Sequence, residues 1–208
     1  MNQLQPPIDK LAPVVQEAQA KLRQIDRAVI VDRSGATIDQ RGNLCVEFLR
    51  REYVIEQPEW IVKRAEDGVT PPAIIQSLIL TYLSTADGTP PADRWVGFRE
   101  LPNGLFYAPA FQGYTGDELI RQLTGEVAAF KRASEKIEGV ALPIGDAGYA
   151  FQVLPRLKLA AVMWSGDDEF PAQAQVLFQA NAPHYLVTDG LAIAGSLLIG
   201  QIVKAARA

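Results

Sequence analysis

The stretch YAFQVLPRLKLAAVMW, residues 149–164, decides the fold class because it holds two β-type runs on either side of a proline. Both runs contain the aliphatic and aromatic residues that favour strands, and Pro155 between them cannot donate a ladder hydrogen bond. In the second run the odd-numbered residues 157–163 are all apolar, and alternate residues share one face of a strand. We predict two strands, Tyr149 to Leu154 and Leu157 to Trp164.

Two earlier stretches predict hairpins by the same reasoning. From Asn43 onward Leu44, Val46 and Phe48 alternate with other residues, and the β-type run YVIE follows after RRE. Residues 94–111, RWVGFRELPNGLFYAPAF, contain many aromatic residues around Pro-Asn-Gly, a typical turn sequence. Because hairpins pair antiparallel strands, we predict an α+β fold: a mainly antiparallel sheet built from hairpins, with packed helices on its faces.

The N-terminal part of the chain is predicted to be helical. Apolar residues follow each other at spacings of three and four from Ile8 to Ile25, which is typical of an amphipathic helix. RAVIVDRSG, residues 27–35, fits either a short buried strand or a second helix that ends at Gly35. At 208 residues the chain is expected to form a single domain, with the helical segment 1–35 packed on it.

Two further helices are predicted in the middle of the chain. Residues 70–88 are apolar on nearly every side, which indicates a central buried helix with Thr70 as its N-cap. Thr115 and Glu118 have the spacing of a capping box, which predicts a helix from there to about Ser134. The capping box would account for the acidic residues in this stretch without any chemistry.

Composition excludes several classes of function. The net charge is −4 and Lys and Arg do not cluster among aromatic residues, so nucleic acid is not an expected partner. Cys45 is the single cysteine, which rules out an intramolecular disulfide and a cysteine-built metal site within the chain and fits a reducing cytoplasm. Residues 1–10 lack the features of a secretory signal, so we expect a soluble cytoplasmic protein.

The C-terminal stretch LAIAGSLLIGQIV, residues 191–203, is the most membrane-like part of the sequence. It falls short of the ~20 apolar residues needed to span a bilayer. Gly190, just before this stretch, and Gly195 and Gly200 within it recur every five residues, and this spacing does not keep them on one face of a helix. We therefore predict a buried C-terminal helix and no membrane partner.

The sequence favours a non-catalytic protein. The G-x-S-x-G, P-loop and G-x-G-x-x-G patterns are absent from the sequence. His184 is the single histidine; it could act as a general base or bind a ligand, but a structural role is favoured. We predict no resident cofactor.

The stretch WSGDDEFP, residues 164–171, places three consecutive carboxylates between two aromatic residues. The favoured interpretation is the N-terminus of a short helix over 172–178, where the helix dipole stabilises acidic side chains. The alternative is a divalent cation site, since Mg²⁺ and Ca²⁺ prefer several oxygen ligands. The candidate ligands are Asp146, Asp167, Asp168 and Glu169.

Two segments are candidate binding surfaces. The aromatic segment 94–111 could contact a ligand or a partner protein, with Arg99 as an anchor for an anion. The loop after residue 164 combines aromatic and acidic side chains. The candidate ligand- or partner-binding residues are Trp95, Arg99, Tyr107, Trp164, Phe170 and His184.

An ordered series of motifs resembles the prokaryotic family DUF3786, a domain of unknown function, over most of the chain. The motifs are Trp95, Phe98–Leu101, Gly145–Asp146, Leu154–Pro155, Trp164, Gly166–Pro171, Leu177–Phe178 and Tyr185–Leu186. The resemblance implies no activity and no catalytic residue. It implies work beside the redox or one-carbon machinery of anaerobes, because some relatives look like fusions to a cysteine-rich iron–sulfur segment. This chain departs from that arrangement, having only Cys45, and it has Gln179 where the resemblance implies an aspartate.

Three functional hypotheses follow from the sequence. The first is a cytoplasmic, non-catalytic accessory domain that binds a partner protein or a small ligand. The second is a metal-assisted enzyme built on the four carboxylates at 146 and 167–169. The third is a structural subunit of a homo-oligomer, which would associate through its apolar terminal helices.

Overall fold

The computed structural model describes residues 8–208, with side chains from residue 11 onward. The predictions for residues 1–7 therefore lie outside the described residues. The chain forms two compact units. The first contains residues up to Pro90 together with Leu154–Arg156 and His184–Leu186, and the second contains Pro91–Val153, Leu157–Pro183 and Val187–Ala208. The single-domain assignment stays a prediction.

The described part of the first unit, from residue 8 onward, contains three helices and a four-stranded antiparallel sheet in the order β1-β2-β3-β4. The predicted hairpin after Asn43 is confirmed as β2 and β3, with Val46 opposite Tyr53. In chain order the elements are α1 Ile8–Leu22, α2 Arg27–Ser34, β1 Thr37–Ile38, β2 Leu44–Phe48, β3 Arg51–Glu56, β4 Ile61–Arg64 and α3 Ala73–Thr85.

Helix α2 settles the two interpretations left open for residues 27–35 in favour of a helix. Asp26 caps its start by accepting a hydrogen bond from the backbone N–H of Ala28 at 2.7 Å. Gly35 ends it in the left-handed region, with φ of 71°, where an L side chain would be strained. The local signals at both ends were therefore sufficient to specify this helix.

Helix α3 is the buried helix predicted for residues 70–88, but Thr70 is not its cap. The helix begins at Ala73 after Pro72, which provides no capping side chain. Tyr82 in this helix is completely buried. Its hydroxyl donates to the carbonyl of Ser34 at 2.5 Å and accepts from the backbone N–H of Arg156 at 3.0 Å. Burial raises the pKa of Tyr82, which keeps the hydroxyl protonated.

The second unit is built on a five-stranded sheet in the order β5-β9-β8-β7-β6. The strands predicted at 149–154 and 157–164 are confirmed as β7 and β8, with β7 beginning two residues earlier. In chain order the elements are β5 Trp95–Gly97, α4 Ala108–Tyr114, α5 Gly116–Leu123, α6 Val127–Lys136, β6 Val140–Leu142, β7 Ala147–Leu154, β8 Leu157–Trp164, β9 Gln173–Gln179 and α7 Thr188–Arg207.

The hairpin predicted over residues 94–111 is wrong. Only Trp95–Gly97 forms a strand, and it pairs antiparallel with the distant strand β9. A 3₁₀ turn follows at Phe98–Glu100, and then a loop leads into α4. The reason is aromatic packing: the Phe98 ring stacks on the Phe111 ring at 4.2 Å and both approach Phe178 of β9, so the segment folds back over the sheet.

The short helix predicted over residues 172–178 is also wrong, because this segment is strand β9. Ala174, Val176 and Phe178 are buried, whereas Gln173 and Gln175 are exposed, which is the alternation of a strand. The acidic stretch is consequently the loop between two paired strands, with Trp164 opposite Gln173 where the pairing ends.

The single helix predicted from Thr115 to Ser134 is divided into α5 and α6. Thr124 ends α5 in the left-handed region with φ of 51°, and Gly125 follows with φ of 72°. The predicted capping box does not form, because the Thr115 hydroxyl donates to the carbonyl of Phe111 at 2.6 Å. Glu118 instead pairs with Arg121, with a shortest N–O distance of 2.6 Å.

Helix α7 confirms the predicted buried C-terminal helix. Its buried residues include Leu191, Leu198 and Ile202. The ideal Cβ position on Gly195 lies 3.0 Å from two ring atoms of Phe111, so the helix lies directly against the aromatic core of this unit. By length and composition alone, α7 could also cross a membrane, as could the core helix of a soluble protein.

One edge of the second sheet is covered by a side chain instead of a strand. Strand β5 reaches only Leu177 of β9, so the first half of β9 extends beyond it. There the side-chain amide of Gln112 donates to the carbonyl of Ala174 at 2.9 Å. Gly116 lies so close to the same carbonyl that a Cβ would be 2.0 Å from it. Helices α4 and α5 thus protect the exposed part of this strand.

Candidate partner-binding surface

The two predicted binding segments lie at opposite ends of strand β9. Trp95 pairs with Gln179 at one end, and Trp164 pairs with Gln173 at the other. Six residues of strand correspond to about 20 Å. The structure therefore does not bring the aromatic segment and the acidic loop together into one site.

The loop that follows the 3₁₀ turn carries Phe106, the most exposed large apolar side chain of the second unit. Phe106 is 95% exposed, and its neighbours Leu105 and Tyr107 are about half exposed, at 54% and 49%. We name Leu105–Tyr107 the aromatic loop. Of these three residues, only Tyr107 was among the sequence-predicted binding residues.

The aromatic loop is held by its own backbone. Gly104 is buried, and a Cβ at this position would lie 2.0 Å from the carbonyl oxygen of Phe98. The Gly104 N–H donates to the carbonyl of Leu101 at 2.9 Å, and the Gly104 carbonyl accepts from the Tyr107 N–H at 3.2 Å. Only glycine fits this close approach of the chain to itself, and the turn directs the next three side chains outward.

Tyr107 connects the aromatic loop to the interior of the unit. Its ring lies 6.4 Å from the ring of Phe98 and 6.4 Å from that of Tyr114. Burial and the neighbouring Tyr107 raise the pKa of Tyr114, so the Tyr114 phenol stays neutral. On the other side, the Thr188 hydroxyl at the start of α7 donates to the Pro102 carbonyl at 2.5 Å. The loop is therefore anchored at both ends.

Trp95 and Arg99 lie near the aromatic loop along the chain but differ in their exposure to solvent. Trp95 is half-buried in β5, whereas Arg99 is exposed in the 3₁₀ turn. Glu100 accepts a hydrogen bond from the Gly97 N–H at 2.8 Å and lies 3.9 Å from Arg94, and these contacts fix the turn. Arg99 remains available on the surface next to the loop.

The acidic stretch is a loop that is stabilised by its own carboxylates. Asp167 accepts hydrogen bonds from the backbone N–H groups of Glu169 and Phe170 at 2.8 and 2.7 Å. Asp146 accepts from the Ser165 N–H and hydroxyl at 2.7 and 2.5 Å. These hydrogen bonds hold the pKa of each aspartate below its usual range. The two carboxylates are thus acceptors of structural hydrogen bonds.

The geometry gives the proposed metal site little support. Among residues 11–208, no group of three or more His, Cys, Asp and Glu side chains is placed to hold a metal ion. Asp168 and Glu169 are exposed, and so is Phe170, whose side chain is 62% exposed at the tip of the loop.

His184 belongs to the first unit, apart from the other candidates. Its Nδ1 atom lies 2.7 Å from an Asp87 carboxylate oxygen and 3.1 Å from the Thr89 hydroxyl. Hydrogen bonds from Thr89 and His184 lower the pKa of Asp87 to about 2. These contacts connect the end of α3 to the segment His184–Leu186, which is a structural role that needs no ligand.

A groove of about 500 Å³ beside β9 is lined mainly by polar side chains. Gln112 there donates to Asp117 at 2.8 Å as well as to β9, and Arg121 is paired with Glu118. Its polar groups are therefore largely satisfied by one another.

Comparison with known proteins identifies a family. A model described as a domain of unknown function, DUF3786, matches residues 26–201, which covers most of the chain. No curated protein and no solved structure matches the chain.

Proposed function

The chain belongs to the DUF3786 family of domains of unknown function, and we propose that it is a non-catalytic accessory domain that binds a partner protein through its aromatic loop. The observation that carries this proposal is the 95% exposure of Phe106. A phenylalanine ring in water costs free energy that burial in a complex would recover, and exposed aromatic residues are enriched at interfaces.

The chemistry of the titratable groups supports binding over catalysis. Asp87, Asp146 and Asp167 all have lowered pKa values, which keep them ionised as acceptors of structural hydrogen bonds. A general acid would need a carboxyl group with a raised pKa. The divalent-cation alternative is disfavoured because two of its four proposed ligands, Asp146 and Asp167, already accept hydrogen bonds from the loop after β8.

We infer a prokaryotic cytoplasmic location for this accessory domain, with no nucleic-acid or membrane partner. A single buried cysteine, Cys45, fits a reducing compartment. Burial raises the pKa of its thiol, which disfavours the reactive thiolate. The net charge of −4 works against contact with polyanions, and the apolar face of α7 is used inside its own unit.

The test compares three truncations of exposed side chains in the second unit. Phe106→Ala removes the proposed contact, Phe170→Ala removes the exposed ring of the acidic loop, and Val140→Ala is a control at a position that is 67% exposed. Each tagged variant is purified from the native host and the stoichiometric partners are compared, together with the melting temperature.

We expect Phe106→Ala alone to lose its partner, with all three melting temperatures unchanged. A partner that is kept by Phe106→Ala and lost by Phe170→Ala would move the surface to the acidic loop. A chain that purifies without any stoichiometric partner would overturn the accessory function itself.

A further inference from the structure

We infer that Phe106 inserts into an apolar pocket of a different protein, in preference to a second copy of this chain or a lipid surface. This inference rests on the proposed function and specifies the kind of partner. It follows from four properties of the aromatic loop: its rigidity, its shape, its area and the charges around it.

The rigidity of the loop comes from the contacts behind it. Tyr107 packs on Phe98, and the Phe98 ring is stacked at 4.2 Å on Phe111 in the core. Gly104 fixes the turn against the carbonyl of Phe98, so the loop has little room to rearrange. A loop whose backbone is already held in place loses less conformational entropy on binding, which favours Phe106 as an anchor residue.

The shape of the loop determines the shape of its complement. Because Phe106 is 95% exposed, its own chain covers almost none of the ring. A ring that projects in this way is buried only by a cavity that surrounds it. The groove beside β9 is lined in part by Gln112, Asp117 and Arg121, whose polar groups would lose their contact with water if a phenylalanine ring entered it. The groove beside β9 is therefore not the cavity that would receive Phe106 of a second copy.

The area of the loop argues against a symmetric dimer. The three side chains of the loop together expose roughly 350 Å², given about 150–250 Å² for a complete aromatic side chain. Val187, which is 59% exposed beside the anchored start of α7, adds a smaller amount. A stable interface buries about 800 Å² per partner. Two loops in face-to-face contact would supply about half of this area. A pocket in another protein would bury more, because its rim also contacts the surface around the loop.

The charges around the loop argue against an anionic lipid surface. Arg99 is exposed next to the loop, but Glu100 lies beside it and Asp189 is exposed at the start of α7. These three charges are of mixed sign, and the whole chain carries −4. Binding to anionic membranes needs a cluster of basic residues as well as apolar insertion.

The experiment begins with the purified full-length chain and two probes. Sedimentation velocity over a wide range of concentration tests for a second copy, and co-sedimentation with vesicles of phosphatidylcholine, with and without phosphatidylglycerol, tests for lipid. We expect a monomer that does not pellet with vesicles. A dimer or vesicle binding that Phe106→Ala abolishes and Val140→Ala keeps would overturn the inference.

The partner is then identified and measured in a defined pair. Phe106→benzoylphenylalanine allows photocrosslinking in the native host, with Val140→benzoylphenylalanine as the matched control. The crosslinked protein is purified and titrated with the wild-type chain and with each alanine variant. For a hot-spot residue we expect Phe106→Ala to raise the Kd by about 30-fold or more, while Val140→Ala changes it by less than about 3-fold.

A third variant distinguishes a pocket from a general loss of contact area. Phe106→Leu keeps an apolar side chain and is expected to restore part of the affinity, whereas Phe106→Asp should bind no better than Phe106→Ala. A crosslinked partner whose Kd is unaffected by Phe106→Ala would refute the inference while leaving the accessory function in place. If neither the wild-type chain nor any variant gave a specific crosslink or a partner, both the inference about Phe106 and the accessory function would be refuted.

Discussion

Helix α7 offers the most direct test of how the core of the second unit is packed, because it contains one buried glycine, Gly195, and one exposed glycine, Gly200. A Cβ on Gly195 would lie 3.0 Å from the Cε2 and Cζ atoms of Phe111 and 3.5 Å from Val176. A Cβ on Gly200 would meet nothing within 4 Å. Gly195→Ala and Gly200→Ala therefore share the same change in helix propensity and differ only in what the new methyl group contacts.

The expected magnitudes follow from these distances. In a helix interior, alanine is favoured over glycine by about 0.8–1.0 kcal/mol. Gly200→Ala should gain about this much, and its melting temperature should rise by about 2–4 °C. For Gly195→Ala, overpacking against the phenylalanine ring should cost about 1–3 kcal/mol and outweigh the gain. We expect the free energies of unfolding of the two variants to differ by about 1–3 kcal/mol.

The assay is urea unfolding followed by circular dichroism, with the slope compared between variants to check that only stability has changed. Phe111→Leu in the Gly195→Ala background provides the control, since a smaller ring-free side chain should relieve the clash. If Gly195→Ala were stabilised as much as Gly200→Ala, the Phe111 ring would not be held tightly against α7, and the close packing at Gly195 would be refuted.

Two further predictions concern the first unit and use the second as a reference. Tyr82→Phe leaves two backbone groups without their buried partner and should lower the free energy of unfolding, measured in urea, by about 2–3 kcal/mol. The control is Tyr149→Phe, which should cost less than about 1 kcal/mol because the Tyr149 hydroxyl donates to the exposed Glu135. Equal losses in the two variants would contradict the buried hydrogen-bond network of Tyr82. Because the pKa of Asp87 is lowered from 3.8 to about 2, its stabilising contribution is complete above the ordinary value and is lost as the pH falls through the lower one. The stability difference between the wild-type chain and Asp87→Asn should therefore be constant down to about pH 4 and shrink between pH 4 and 2, and a difference that persists unchanged at pH 2 would refute this assignment.

The parts of the fold that local sequence specifies were predictable. Strands β7 and β8 and the hairpin β2–β3 were found because alternation and turn residues lie within a few positions of each other. The α2 helix was among the open alternatives because Gly35 provided the end signal. In each case the deciding interactions lie close together along the chain, so a single sequence contains them.

The errors occurred where distant residues decide the structure. The pairing of Trp95 with Gln179 and the stacking of Phe98 on Phe111 replaced a hairpin that looked plausible locally. Strand β9 was taken for a helix because acidic residues and Pro171 resembled a helix start. The alternation of Ala174, Val176 and Phe178 was present in the sequence and would have identified it.

The candidate surface was predicted only in part. Tyr107 and Arg99 were named from the aromatic segment, and the loop that contains Tyr107 carries the proposal. Phe106 belongs to the same aromatic segment but was not among the final candidate residues, because its exposure depends on the turn at Gly104 and not on the identity of the side chain. His184, another candidate binding residue, lies in the first unit.

The discontinuity of the first unit has a consequence for the order in which the chain can fold during synthesis. Tyr82 and Thr85 belong to α3, but the Tyr82 hydroxyl accepts a hydrogen bond from the backbone N–H of Arg156, and the Thr85 hydroxyl donates to the carbonyl of Tyr185 at 2.6 Å. The ring of Tyr82 also stacks on that of Tyr185 at 5.8 Å. These contacts do not exist until the ribosome has passed residue 185 of 208. The first unit, most of which precedes the second along the chain, is therefore completed only after most of the second has been synthesised.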